Sequence, residues 1–160
     1  MEQKVLTQEQ LDNLIRCTAL LYYHLANEVV EAFGEEGERT IARAMEKFGQ
    51  ERGEYIRRKV EEEGLPLSLE NMARFYDLPI EAAWQTSIKM SPRKGTSFVV
   101  YCPFADLWRK RNAEKLGALY CKSEEALIKA YNPAVEYEQK RSLLTGNDKC
   151  EVAMKIKDSS

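Results

Sequence analysis

The hydrophobic period of this chain changes near residue 83, and that change limits the folds open to it. Before it, apolar residues recur at spacings of three and four, as on one face of a helix. After it, Trp84, Thr86, Ile88 and Met90 alternate with Gln85, Ser87 and Lys89, as on a half-buried strand. A chain with an all-helical first half and strand hairpins in its second half is expected to fold as α+β.

Thr7 and Gln10 have the spacing of a capping box, so the first helix is expected to start there. Its apolar positions include Leu11, Leu14, Ile15, Tyr22, Leu25, Val29 and Phe33. Cys17, Leu20 and Leu21 widen the stripe, which predicts burial of much of the helix. Gly34 is placed to stop it. A second helix is expected from about Glu35 to Glu63, with Gly49 and Gly53 on one face. Each glycine costs about 1 kcal/mol relative to alanine in a helix. Close approach of a neighbouring helix or of a ligand would offset that cost. Gly64-Leu65-Pro66 ends this helix, and Ser68 can cap a short third one over Leu69 to Tyr76.

The strand from Trp84 to Met90 leads through Ser91-Pro92-Arg93-Lys94-Gly95 into a second strand, Ser97 to Cys102. Strict alternation there puts Phe98, Val100 and Cys102 on one face. Pro103 suits a helix start, and a short helix is expected to about Asn112. Another spans about Lys115 to Tyr131 and stops before Asn132-Pro133. Val135, Tyr137, Gln139, Arg141 and Leu143 share a face of the third strand. Thr145-Gly146-Asn147-Asp148 supplies a turn, and Cys150, Val152, Met154 and Ile156 form the apolar face of the fourth. The tail from Lys157 to Ser160 is expected to fray. The expected architecture is one domain over residues 1–160. An N-terminal helical part (1–78) packs with a four-stranded antiparallel sheet of two hairpins with helices between them (83–156).

The chain has 160 residues, 24 basic and 26 acidic side chains and a net charge of −2, which gives no reason to expect nucleic acid as a partner. A homo-oligomer is left open. No apolar run approaches the length of about 20 residues that a membrane span needs. Met1-Glu2-Gln3-Lys4 lacks the layout of a signal peptide, so a cytoplasmic protein with reduced cysteines is expected.

Four cysteines stand at 17, 102, 121 and 150 with no C-x-x-C pair, which excludes a zinc-finger or thioredoxin-like motif. Cys102 and Cys150 are expected to point to the apolar side of the sheet, and Cys121 lies on the helix that should cover that side. Free cysteine is often only a small buried hydrophobe. The same three sulfurs are also candidates for a nucleophile, which needs a lowered pKa and an acid or base nearby. His24, Glu124 and Asp148 are the available partners. Zinc held by Cys102, Cys121, Cys150 and either His24 or Asp148 is chemically acceptable, but the scattered spacing favours no metal. A ligand carboxylate would want a guanidinium, and Arg39, Arg43 and Arg52 are candidates on the second helix.

These residues resemble the L-2-amino-thiazoline-4-carboxylic acid hydrolase family. The similarity is carried by Cys102-Pro103-Phe104-Ala105, Leu116-Gly117, Cys121, Asn132-Pro133 and Gly146-Asn147-Asp148 with Cys150. Phe33-Gly34-Glu35-Glu36-Gly37 is similar more loosely. The family pattern often has Asp where this chain has Glu124, and Arg where it has Gln139. The resemblance implies hydrolytic opening of a 2-aminothiazoline-type ring, L-2-amino-thiazoline-4-carboxylate giving N-carbamoyl-L-cysteine, or of a related cyclic C–N/C–S substrate. No cofactor is implied. Either a thiolate at Cys102, Cys121 or Cys150 attacks the amidine-like carbon, or a carboxylate, Asp148 or Glu124, activates water. Asn132, His24 and Arg43 are the candidate substrate-binding residues. The arrangement is also faintly similar to vinyl-reductase-type sensor domains, which implies a small-molecule or metal-binding module without turnover. A third reading is a helical interaction protein that uses the Gly49/Gly53 face.

Overall fold

The computed structural model describes residues 5–157. The expectations placed on Met1 to Lys4 and on the last three residues of the tail lie outside the described residues.

The helical part is one long element, α1 (Gln8–Glu62), that turns sharply at Gly34. Thr7 caps it with the full capping box to Gln10. Gly34 sits at φ 56° and ψ −131°, a left-handed region that glycine enters without the cost other residues bear. The corner is tight: a Cβ on Gly37 would lie 2.5 Å from the Val29 carbonyl oxygen. Two arms therefore leave Gly34, and both supply the same core, Ile15, Ala19 and Ala26 from one and Ile41 from the other.

Then follow α2 (Leu69–Arg74), capped by Ser68, and α3 (Ile80–Ala83). The hairpin of β1 (Gln85–Met90) and β2 (Lys94–Tyr101) comes next, then α4 (Pro103–Arg109) and α5 (Glu114–Tyr131). The second hairpin is β3 (Val135–Arg141), a 3-10 turn (Leu143–Thr145) and β4 (Cys150–Ile156). The sheet is antiparallel throughout in the order β1-β2-β4-β3, so the fold is α+β with the two expected hairpins joined through β2 and β4.

The second arm of α1 and α5 lie unusually close. A Cβ on Gly49 would come within 2.1 Å of the Ser123 carbonyl oxygen, and one on Gly53 within 2.1 Å of that of Leu127. Real side chains cannot sit there, so the two glycines exist for helix packing. Beyond them Ile56 and Val60 join Leu127, Ile128, Tyr131, Leu69 and Met72 in a core that reaches the sheet at Val135 and Met154. A second core gathers Phe104, Ala105, Trp108, Leu116 and Tyr120 with the first arm of α1 and with Leu143 and Leu144. The Trp108 indole N–H donates to the Ala19 carbonyl at 3.1 Å. Sheet and helices are thus joined at two ends, with a space between.

Three expectations need correction. The first arm buries Ile15, Ala19 and Ala26, while Leu14, Leu21, Leu25 and Phe33 remain 58–67% exposed. Helices α4 and α5 cover only one side of this arm, so the widened stripe is not buried all round. In β2 the inward residues are Gly95, Ser97 and Val99, not Phe98 and Val100, because Ser97 pairs with inward Ile88 and Val99 with inward Thr86. A bulge then matches Tyr101 to Gln85, and the extra residue returns Cys102 to the inner side. A second bulge between Gln139 and Arg141 turns Arg141 outward, where it meets Glu151 and Asp148 at 3.6 and 3.8 Å.

Gly49→Ala and Gly53→Ala are each expected to lower the unfolding free energy by about 1–3 kcal/mol or more, despite the gain of about 1 kcal/mol in helix propensity. Urea denaturation measures this, and a stabilised variant would contradict the packing.

Candidate active site

The space between the layers is a cavity of about 770 Å³. Its walls come from every part of the fold. The inner face of the sheet gives Thr86, Ile88, Val99, Tyr137, Gln139 and Val152, while α5 gives Tyr120, Cys121, Glu124 and Ile128. The stretch from Tyr76 to Trp84 forms a strap along a further side, and Arg74 stands at the end of α2. Apolar side chains predominate, with a few polar ones among them, the usual make-up of a small-molecule site.

All four cysteines are free, and three of them, Cys102, Cys121 and Cys150, line this cavity, whereas Cys17 is exposed on α1. Each position has a local cause. The β2 bulge and Pro103 hold Cys102 as N-cap of α4, with its sulfur accepting from the Ala105 amide (3.4 Å) and the Trp84 indole N–H (3.3 Å). Burial nevertheless pushes the Cys102 thiol up, against the lowering by those N–H donors. Burial pushes Cys121 up further, helped by Cys102, Glu124 and Cys150. Cys150, at the start of β4, accepts from the Leu143 amide at 3.4 Å. Cys102 and Cys121 are therefore neutral thiols at pH 7.

The charged centre is Glu124, one helical turn after Cys121. Arg52 donates to Glu124 Oε1 at 3.0 Å, and the Tyr76 hydroxyl donates to Oε2 at 2.5 Å. The same guanidinium makes a two-pronged contact with Asp77, at 2.8 and 2.7 Å. Arg52 is 6% exposed. Burial opposes its charge, and the bond to Asp77 with the charges of Glu124 and Asp77 overcomes this, so it stays protonated. Burial, with Glu124 second, holds the Tyr76 hydroxyl well above its ordinary range, so it stays a donor. One buried cation thus fixes the cavity carboxylate and ties the strap to α1.

Glu124 and the three cysteines are brought together; the other candidates are not. Asp148 is 80% exposed in the turn before β4, outside the cavity. Asn132 donates to the Leu67 carbonyl (2.9 Å) and accepts from the Ala134 amide (3.0 Å), tying the end of α5 to the loop before α2. His24 lies exposed on the first arm, its ring against Tyr23. Arg43 is exposed, bonded to Thr40 and near Glu36. Arg39 pairs with Glu36 at 2.8 Å. Among the described residues no group of three His, Cys, Asp or Glu side chains is spaced to hold a metal ion. Sequence reasoning passed over Tyr76, Asp77 and Trp84 as site residues, since each follows or precedes a regular element with no motif of its own. Arg52 carried a usable signal, a charge between Gly49 and Gly53 on a face that otherwise packs against a helix.

The L-2-amino-thiazoline-4-carboxylic acid hydrolase family matches residues 14–154. The chain belongs to this family. Glu124 and Gln139 both line the cavity. No curated protein matches the sequence. Among solved structures, the fold is similar to the trafficking protein particle complex subunit 3 from Naegleria fowleri covalently bound to palmitic acid. There the TM-score is 0.54 and the identity 14%, over 90% of this chain and 95% of that one. It is also similar to the phenol-responsive sensory domain of the transcription activator PoxR with phenol, with TM-score 0.58 and 16% identity, over 87% of this chain and 74% of that one. At these identities the likeness is one of fold.

Arg52→Ala strips the partner from two carboxylates at once. It is expected to cost about 3–5 kcal/mol in urea denaturation, and a loss within about 1 kcal/mol, as for a surface pair, would contradict the role given to the network.

Proposed function

We propose that the protein hydrolyses a 2-aminothiazoline-type ring, or a related cyclic C–N/C–S substrate, in the cavity between sheet and helices. The observation that carries this reading is the meeting of the Glu124 carboxylate with three thiols in one largely apolar cavity, in a chain of this family. The amidine-like part of such a ring presents two nitrogens side by side, and a carboxylate is their natural partner. Each Glu124 oxygen already accepts one hydrogen bond and retains a further lone pair for the ring or for water.

Water adds to the carbon between ring nitrogen and sulfur: the C=N electron pair moves onto the ring nitrogen, Glu124 takes one proton of the water, and the other passes to that nitrogen as the carbonyl forms. The carbon–sulfur bond then breaks, its electron pair leaving with sulfur, and the proton held by Glu124 passes to the departing thiolate. One water is consumed and a carbamoylated aminothiol is released. Cys102 and Cys121 act here as neutral thiols around the leaving sulfur. Because burial keeps them protonated, the water route is favoured over direct attack by a resting thiolate. Arg52, Tyr76 and, through Arg52, Asp77 are positioning residues.

On this route Glu124→Gln lowers kcat by about 10²–10⁴-fold while the fold is kept. Cys102→Ala, Cys121→Ala and Cys150→Ala each lower it less. The thiol released on ring opening reports the rate. A covalent route reverses the order: Cys102→Ala abolishes turnover, and kcat/KM keeps climbing above the ordinary thiol value of 9.0 as the raised thiol ionises.

A second reading is a binding module without turnover, favoured by the apolar lining and by a fold shared with a sensory domain solved with phenol. Ring ligands that bind but are never opened would establish it in place of the hydrolase.

A further inference from the structure

We infer that the cavity selects an uncharged or cationic ring bearing an apolar substituent, and discriminates against a free carboxylate. This rests on the ring-hydrolase reading above and deepens it.

The charge inventory of the walls carries the inference. Glu124 brings a negative charge into the cavity, and the exposed Glu81 on the strap adds another at its wall. The guanidinium behind it is already spent, since Arg52 bonds both Asp77 oxygens and one Glu124 oxygen. Gln139, on the sheet side, is neutral. Among the described residues the one cation that lines the cavity is Arg74, an exposed residue at the end of α2, set with its guanidinium 5.1 Å from the Phe75 ring centroid. A substrate carboxylate drawn inside therefore loses water, meets a like charge and finds, among the described residues, no buried cation other than the engaged Arg52.

The apolar inventory points the same way. Leu78, Ile80, Ile88, Val99, Val152 and Met154 line a space of about 770 Å³. That is in the range of about 300–1,000 Å³ used for drug-sized molecules, whereas an aminothiazoline carboxylate is a small ring with one short substituent. With the amidine held by Glu124, the rest of the cavity is left for an apolar group such as an ester, alkyl or aryl substituent.

The test compares 2-amino-thiazoline-4-carboxylate with its methyl ester on the full chain. Binding is followed by tryptophan fluorescence, since Trp84 and Trp108 both line the cavity, and ring opening by released thiol. At an effective dielectric of about 20, an uncompensated like charge roughly 6 Å from Glu124 weakens binding by about 100-fold; Arg52, 3.0 Å from that carboxylate, offsets part of this, so the ester is expected to bind about tenfold more tightly than the acid. Gln139→Arg adds a cation to the cavity wall and is expected to shift the preference at least tenfold towards the acid. Acid bound as tightly as ester by the wild-type protein, with both rings opened, overturns the selectivity and leaves the hydrolase reading standing. Binding of neither ring overturns the hydrolase reading and the selectivity with it.

Discussion

Everything in the site depends on how closely α5 can approach the second arm of α1. Glycines at 49 and 53 let the backbones touch, with no room for a Cβ at either point. Between them in sequence, Arg52 projects from the same side of the arm and reaches Glu124 on α5. The contact that fixes α5 therefore also fixes the Glu124 carboxylate in the cavity wall, and it presents Cys121 one turn earlier. A buried guanidinium is weak evidence for stability by itself, because its desolvation offsets much of the attraction. Here it has a further consequence, since it holds two carboxylates from different segments in one geometry.

The cavity exists because the sheet does not lie flat on the helices. Two cores join the layers at opposite ends, one around Ile56, Leu127 and Tyr131, the other around Phe104, Trp108 and Tyr120. Side chains between them face a gap instead of a neighbour. The bulges at the two ends of the sheet act in the same sense. The first returns Cys102 to the inside after Val100 and Tyr101 have faced out, and the second sends Arg141 outside, leaving Gln139 as the last inward residue of β3. Without them the inner wall would carry a different set of side chains.

Much of the fold is legible in the sequence because local signals agree with the final structure. The Thr7 cap, the Ser68 cap, the break at Gly34 and the bounds of β4 are local events, and each is found where its residues place it. The Gly49/Gly53 pair is legible as a helix contact, though not its partner. The meeting of Cys102, Cys121 and Cys150 follows from alternation for Cys150, but for Cys102 it holds only because a bulge corrects the count. What escapes is long-range. Nothing local says that Arg52 will find Asp77 and Glu124, that Tyr76 will donate to Glu124, or that Asp148, one turn residue from β4, will face solvent. Polar residues beside a motif look alike in sequence, and only the packing sorts those that face the cavity from those that face water.

The measurement closest to the central claim is alkylation of the cysteines by iodoacetamide, read residue by residue, with and without a saturating 2-amino-thiazoline ring. Cys17 lies on the outer surface and serves as an internal reference, while Cys102, Cys121 and Cys150 line the cavity. The account predicts that the ring slows labelling of the three cavity thiols together and leaves the rate at Cys17 unchanged. Unchanged rates at the cavity thiols under a ligand that demonstrably binds would place the ring elsewhere and contradict the account.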